Sequence, residues 1–268
     1  MAKGEFHIYP SHIAGVEAVA ASTAHAFPRH FHEQYGFGLI EQGAQKSASG
    51  RGMVEAGAGN MITVNPGEIH DGMPIGDAGR SWRMLYFDPA VIAEATSGLD
   101  EGVDGDFEFT LPVIDDARFA VPFVSLFKAL TATGDRTSKL LCDELLVHIL
   151  KGMSHERRRG RDGFPAPVLR AMAKIDDDPA GHISLADLAD ICGISRFQVL
   201  RGFVKATGLS PHAYLMQRRL DLARHLIAQR TGLADAAAAS GFADQSHMTR
   251  LFVRKFGVSP GAYAAYYA

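Results

Sequence analysis

The chain has 268 residues, 47% hydrophobic and 21% charged, with a formal net charge of −3. At the usual ~150 residues per domain, that length implies about two domains, each with apolar mass for its own core, and excludes a disordered chain. No run of 18 apolar residues occurs, and nothing apolar follows the N-terminal MAKGEFHIYP, which excludes a spanning helix and argues against a secretion signal.

In chain order, the stretch from about 14 to 110 is rich in glycine and in short β-like runs. GVEAVAA, QYGFGLIEQG, GNMITV and SWRMLYFD are divided by turns such as Ala44–Gly52 and Pro66–Gly67. Short strands so punctuated predict an all-β sandwich or barrel. Over 117–153 the period becomes helical, with Leu140, Leu141, Leu145, Leu146, Ile149 and Leu150 forming a wide apolar stripe. Such a stripe can bury against the barrel or against a second subunit. SHERRRGRDGFPAP then reads as a linker, 154–166. Its Arg157, Arg158, Arg159 and Arg161 are either phosphate contacts or solvated charges. The two cysteines, Cys142 and Cys192, sit in no CxxC or Cys/His cluster. That excludes a disulfide framework or zinc ribbon and makes a reduced, cytoplasmic compartment the expectation. Cys192 reads as a small buried hydrophobe.

Charge divides with texture. Residues 1–163 hold 15 Lys and Arg against 22 Asp and Glu, and residues 164–268 hold 12 against 8, so −7 is joined to +4. A basic C-terminal part is a candidate for a polyanion.

That part contains an internal repeat. Asp187, Ala189 and Gly193 recur 48 places on as Asp235, Ala237 and Gly241. After a one-residue slip, Arg201, Phe203, Val204, Gly208, Ser210, Pro211 and Tyr214 recur 49 places on as Arg250, Phe252, Val253, Gly257, Ser259, Pro260 and Tyr263. Ser184 with Asp187, and Ser195 with Gln198, have the spacing of capping boxes, and Asp244 can cap the equivalent helix of the second copy. Gly208 and Gly257 fall where a left-handed helix end is wanted, and Ser-Pro restarts a helix after each. Each copy is a short helix, a tight turn and a longer helix, the helix-turn-helix layout (184–208 and 233–257). Between them, 211–228 forms one helix spanning ~27 Å, which can set two recognition helices about one DNA turn, ~34 Å, apart. In it Leu215, Leu222, Leu226 and Ile227 face the cores while Arg218, Arg219 and Arg224 point elsewhere.

The second helix of each copy carries the candidate readers. Arg196, Phe197, Gln198 and Arg201 are exposed in the first, with Val199, Leu200 and Phe203 left for the core. Gln245, Ser246, His247, Thr249 and Arg250 match them in the second. Arg suits guanine, Gln suits adenine, and Phe can meet a thymine methyl. Lys205, Arg254 and Lys255 are assigned to phosphates.

GFADQSHMTRLFVRKFGVSPGAYAAYY, preceded by ISLADLADICGISRFQVLRGFVKATGLSPHAYLMQRRLDLARHLI, resembles the DNA-binding domain of AraC/XylS transcriptional regulators. Gly-Phe, then Ser, then Phe…Phe-Gly-x-Ser-Pro carries the resemblance; Met248 departs from it where an aromatic residue is frequent. The resemblance implies base contacts at Phe197, Gln198, Arg201, Gln245, Ser246, His247 and Arg250. It implies an N-terminal cupin-like barrel (1–153) that binds an effector and dimerises through its helices, and more often than not an activator acting on RNA polymerase. The expected fold is α+β, a cupin-like β-barrel with flanking helices followed by an all-α domain (167–268).

The barrel poses its own chemical question. His30 and His32 are two apart, sharing a face if both lie on one strand, and His70 follows the Pro66-Gly67 turn. This resembles the cupin metal pattern, and three imidazoles suit zinc, iron or nickel. The carboxylate cupins carry a few residues beyond is missing: Gly36 or Phe37 stands there, and Glu33 and Glu41 have the wrong parity for a regular strand. Three readings stay open: a divalent metal site, an effector pocket lined by His30, His32, Tyr35 and His70, or structural histidines. A one-component regulator that senses a small molecule or metal therefore competes with a metal-dependent cupin enzyme fused to a DNA-binding domain.

Overall fold

A computed structural model describes residues 4–97, 107–132, 139–153 and 164–267. The chain divides into two compact units, 1–27 with 31–159, and 28–30 with 160–268. Most of the expected linker and its arginines 157, 158, 159 and 161 lie outside the described residues.

The first unit is built on two sheets. The larger contains β1 (Glu5–Tyr9), β2 (Val16–Thr23), β9 (Arg80–Phe87), β4 (Tyr35–Gln42), β7 (Met61–Val64) and β10 (Val113–Ile114), in that order. The smaller contains β3 (Phe27–His30), β8 (His70–Pro74), β5 (Ala44–Ser49) and β6 (Gly52–Gly57). Residues 28–30 are thus hydrogen-bonded into this sheet by their own strand.

The larger sheet is covered on both faces, which explains why YGFGLI, the buried part of β4, is wholly apolar. On β4, Tyr35, Phe37 and Leu39 enter a core with Phe87, Phe123, Leu126, Ile149 and Leu150. That core lies under α1 (Pro89–Thr96), α2 (Ala120–Thr131) and α3 (Lys139–Met153). Residues of the other parity on the same strands, Ile40, Trp82 and Met84, pack with Ala21 and Ala56 between the sheets. The period of 2 along a strand sends neighbours to opposite compartments. Gly36 and Gly38 face the inner compartment. A Cβ on Gly36 would come within 3.0 Å of the Tyr86 ring and 2.7 Å of Val64, so glycine there lets Tyr86 lie across β4.

The helical stripe of 117–153 is divided. Cys142, Leu146, Ile149, Leu150 and Met153 are buried under the sheet, whereas Leu140 and Leu141 are exposed, as is Val121 on α2. Helix α1 stands inside the stretch expected to be all β, started by Asp88-Pro89. Both cysteines are buried and burial pushes their thiols up, as expected of a small hydrophobe in the case of Cys192.

The second unit is all helical: α4 (Ala166–Asp177), α5 (Leu185–Cys192), α6 (Arg196–Thr207), α7 (Pro211–Ala228), α8 (Leu233–Ala239), α9 (Gln245–Phe256) and α10 (Pro260–Ala264). Ser184–Asp187 and Ser195–Gln198 close reciprocal capping boxes, and Asp244 caps through the His247 amide at 2.7 Å. The α5–α6 turn passes through Gly193 at φ 68°, a left-handed position that suits glycine.

Four side chains here depart from the sequence reading. Lys255, expected on phosphate, is buried with its Nζ 2.5 Å from Asp221 Oδ1. It lies on the inner side of α9, where a charge has to be paired. Arg219 turns inward, donating to the carbonyls of Pro179, Gly181 and Gly241, and Arg218 pairs with Asp176 at 2.8 Å. These two arginines fasten α7 to its neighbours rather than projecting away from them. Leu200, expected in the core, is exposed, because Val199, Phe203 and Thr207 already fill the inner face of α6.

Candidate nucleic-acid interface and barrel site

Helices α6 and α9 start from capped N-termini, so their first turns are rigid and their outward side chains are placed by the backbone. On α6, Arg196, Phe197, Gln198, Arg201 and Lys205 are all exposed, and Phe197 is 66% exposed. The Arg201 guanidinium lies over the Phe197 ring, 5.5 Å from its centroid. Gln198 Oε1 accepts from the Ser195 amide at 3.0 Å, so its side chain also serves the helix start. On α9, Gln245, Ser246, Arg250 and Arg254 are exposed, and His247 and Thr249 half-buried. His247 rests edge-on against Phe242, with ring centroids 5.5 Å apart. Asp244 stands at the helix start as the cap. Met248, the departure from the family pattern, is fully buried.

The imidazoles of His30, His32 and His70 come together, each offering a nitrogen within 4.8 Å of the other two. The route differs from the expected one. Strand β3 ends at His30, so His32 sits in the loop that follows rather than two places along the same strand. His30 Nδ1 lies 2.7 Å from the Pro28 carbonyl and His70 Nδ1 2.8 Å from the Glu68 carbonyl. A carbonyl can only accept, so both rings carry a proton on Nδ1, and their neutral form presents the Nε2 lone pair to a metal. Burial lowers the His70 pKa, opposed by its hydrogen bond to Glu68 and by that carboxylate's charge. The His32 ring lies 5.3 Å from His70 and 5.0 Å from Tyr86. Among the described residues no carboxylate joins the group; Glu41 pairs instead with Arg83 at 3.1 Å.

Tyr35 does not join it. Its hydroxyl donates to the Phe107 carbonyl at 2.6 Å and its ring packs on Phe107 and Phe109. The parity of β4 sends it to the helical core, away from the inner compartment.

Two inner residues were missed by sequence reasoning. Tyr86 flanks His32. Arg80 is buried beside Trp82 and Phe27, donating to Gln45 and to the His25 and Gly72 carbonyls, and burial brings its pKa down to about 10. The alternation of SWRMLYFD marks both, since Arg80, Trp82, Met84 and Tyr86 share parity. A buried network holds the His70 loop: Glu68 pairs with Arg51 at 2.7 Å and accepts from the Asn65 amide, and Asn65 bonds both backbone groups of Phe109.

A β-domain with an inner cluster of polar side chains, followed by tandem helix-turn-helix units with basic second helices, defines a DNA-binding regulator with a ligand-binding domain. Comparison with known proteins gives the family. The AraC-like ligand binding domain matches residues 13–150 and a helix-turn-helix domain matches 188–266. The chain belongs to the AraC family of transcriptional regulators. It is 26% identical over 227 residues to the uncharacterized HTH-type transcriptional regulator YbfI of Bacillus subtilis, covering 83% of this chain and 81% of that one. It is 25% identical to the HTH-type transcriptional activator RhaS of Klebsiella pneumoniae, over 92% of each chain. Among solved structures, ToxT from Vibrio cholerae O395 shares the fold, with a TM-score of 0.60, 13% identity and coverage of 100% of this chain and 99% of that one. No described helix is long and apolar enough to cross a membrane.

Proposed function

We propose that this regulator binds its effector at a divalent metal held by His30, His32 and His70, and that the state of this site biases how the helix-turn-helix units engage DNA. The observation that carries it is the three nitrogens within 4.8 Å, two of the rings fixed through Nδ1 by backbone carbonyls. An all-imidazole set suits zinc, nickel or iron better than magnesium or calcium, and three protein ligands leave a position open. When bound, the ion supplies an electrophilic position for an anionic or polar small molecule. ToxT has been solved with an unsaturated fatty acid bound, which supports a small-molecule role for a domain of this fold. The effector acts by unequal affinity for two states of the chain. Relatives named as transcriptional regulators support sensing over catalysis, so we assign the chain no enzyme activity and place it with DNA in the cytoplasm.

On the DNA side, we assign base edges to Arg196, Phe197, Gln198, Arg201, Gln245, Ser246, His247, Thr249 and Arg250. Lys205 and Arg254 are assigned to phosphates, making binding salt-dependent. Asp244 acts through the helix start. The exposed Val121, Leu140 and Leu141 support pairing of two chains through α2 and α3. RhaS relatives named as activators support activation through RNA polymerase.

Elemental analysis of tag-free, full-length protein beside a His30→Ala/His32→Ala variant tests the barrel assignment. Near-stoichiometric metal, lost in the variant, is the expected result. Metal-free protein that still melts cooperatively would overturn it and leave the imidazoles contacting an effector directly.

A further inference from the structure

The two recognition helices descend from one repeat, so each position on α9 is a control for its counterpart 49 residues earlier on α6. Arg201 matches Arg250 and Val204 matches Val253, but Phe197 stands against Ser246 and Leu200 against Thr249. On α6 these differences extend the shared valine into an apolar stripe. Phe197, Leu200 and Val204 are 66%, 39% and 44% exposed, at spacings of three and four that place them side by side along the helix. The core does not use them, being served by Val199, Phe203 and Thr207. The stripe is bordered by exposed Arg196, Arg201 and Lys205, and Arg201 lies over the Phe197 ring one turn away. The occupant of such a face must be apolar at its centre and anionic at its margins. In the major groove of DNA the apolar group is the C5-methyl of thymine, flanked by phosphates.

We propose that α6 reads thymine through its methyl group. Phe197 makes the contact and Leu200 and Val204 extend it along the groove, whereas α9, with Ser246 and Thr249, reads its half of the site through polar edges. The assignment rests on the proposed reading of DNA by both helices and names the base chemistry of one half-site.

Full-length protein is used to select a binding sequence from random duplexes. Each thymine of that sequence is then replaced singly by deoxyuridine, which removes only the methyl. Losing one methyl from an apolar contact weakens binding about four-fold, and this loss is expected at one or more thymines in a single half of the site. Phe197→Ala, whose side chain lies outside the core, is expected to keep its far-ultraviolet ellipticity and melting temperature. It should bind the thymine and deoxyuridine duplexes within a factor of about two, while Phe197→Leu retains part of the preference. Two results overturn the proposal: deoxyuridine without effect at every position, or a methyl loss that costs Phe197→Ala as much as the unaltered protein. If selection enriches no sequence, the reading of DNA by the two helices falls, and this inference falls with it.

Discussion

Lys255 offers a direct measure of how the C-terminal unit is held together. Its side chain is 1% exposed and its Nζ lies 2.5 Å from Asp221 Oδ1, itself on a side chain 8% exposed. Lys255 also approaches the Gln217 carbonyl at 3.5 Å and the Phe256 ring at 5.1 Å. Replacing it with methionine keeps the volume and strands a buried carboxylate, for which ~3–5 kcal/mol is the expected loss. With a urea slope of ~1.5 kcal/mol/M, the midpoint falls by about 2–3 M, a large share of a domain stability of ~5–15 kcal/mol. Two probes in the full-length chain localise the effect. Trp82, the single tryptophan, is buried in the barrel, so its fluorescence follows the first unit, while the seven helices from α4 to α10 contribute heavily to the far-ultraviolet ellipticity. The ellipticity transition should acquire an early phase while the Trp82 transition stays in place. Lys255→Met combined with Asp221→Leu should recover most of the loss, since removing both charges leaves neither buried alone. A shift under ~0.5 kcal/mol, the usual effect of a surface substitution, accompanied by weaker binding to every DNA sequence, would refute the argument and return Lys255 to the phosphates.

Two smaller perturbations bear on the assignments. Tyr35→Phe removes a hydroxyl that donates to the Phe107 carbonyl; thermal melts should show a loss of ~1 kcal/mol, with metal content and effector response unchanged, whereas altered metal content would put Tyr35 back at the barrel site. Ser195→Ala removes the acceptor for the Gln198 amide and should cost ~1 kcal/mol of helix stability. Faster amide hydrogen exchange in the first turn of α6, with α9 unaffected, is the expected signature.

What the sequence made legible was local. Capping boxes, left-handed glycines and Ser-Pro restarts act within a few residues, so the layout from Ser184 to Tyr263 could be read from neighbours in the chain. The histidines were legible as a set, but not the way they meet. A spacing of two suggested one strand, whereas β3 ends at His30 and the loop brings His32 round. Tyr35 was misplaced because β4 is apolar on both faces and offers no alternation to say which compartment a side chain enters. Lys255, Arg218 and Arg219 were read as outward because charge is ordinarily exposed. Their partners, Asp221, Asp176 and the carbonyls of Pro179, Gly181 and Gly241, lie 22 to 42 residues away in sequence. Helix α1 is eight residues long, too short for its period to stand out inside a β-rich stretch.

Strands β4 and β9 form a party wall between two rooms. Tyr86 and Met84 hang on one side of it, and Leu85 and Phe87 on the other, joined by consecutive peptide bonds. A shift of the backbone at Tyr86 is shared by Leu85 and Phe87, whose side chains pack in the core formed with α2 and α3. The same sharing constrains drift. A bulkier residue on the inner side is tested at once against the packing outside, and β4 displays the settlement already reached, with Gly36 and Gly38 bare on one surface and Phe37 and Leu39 filling the other.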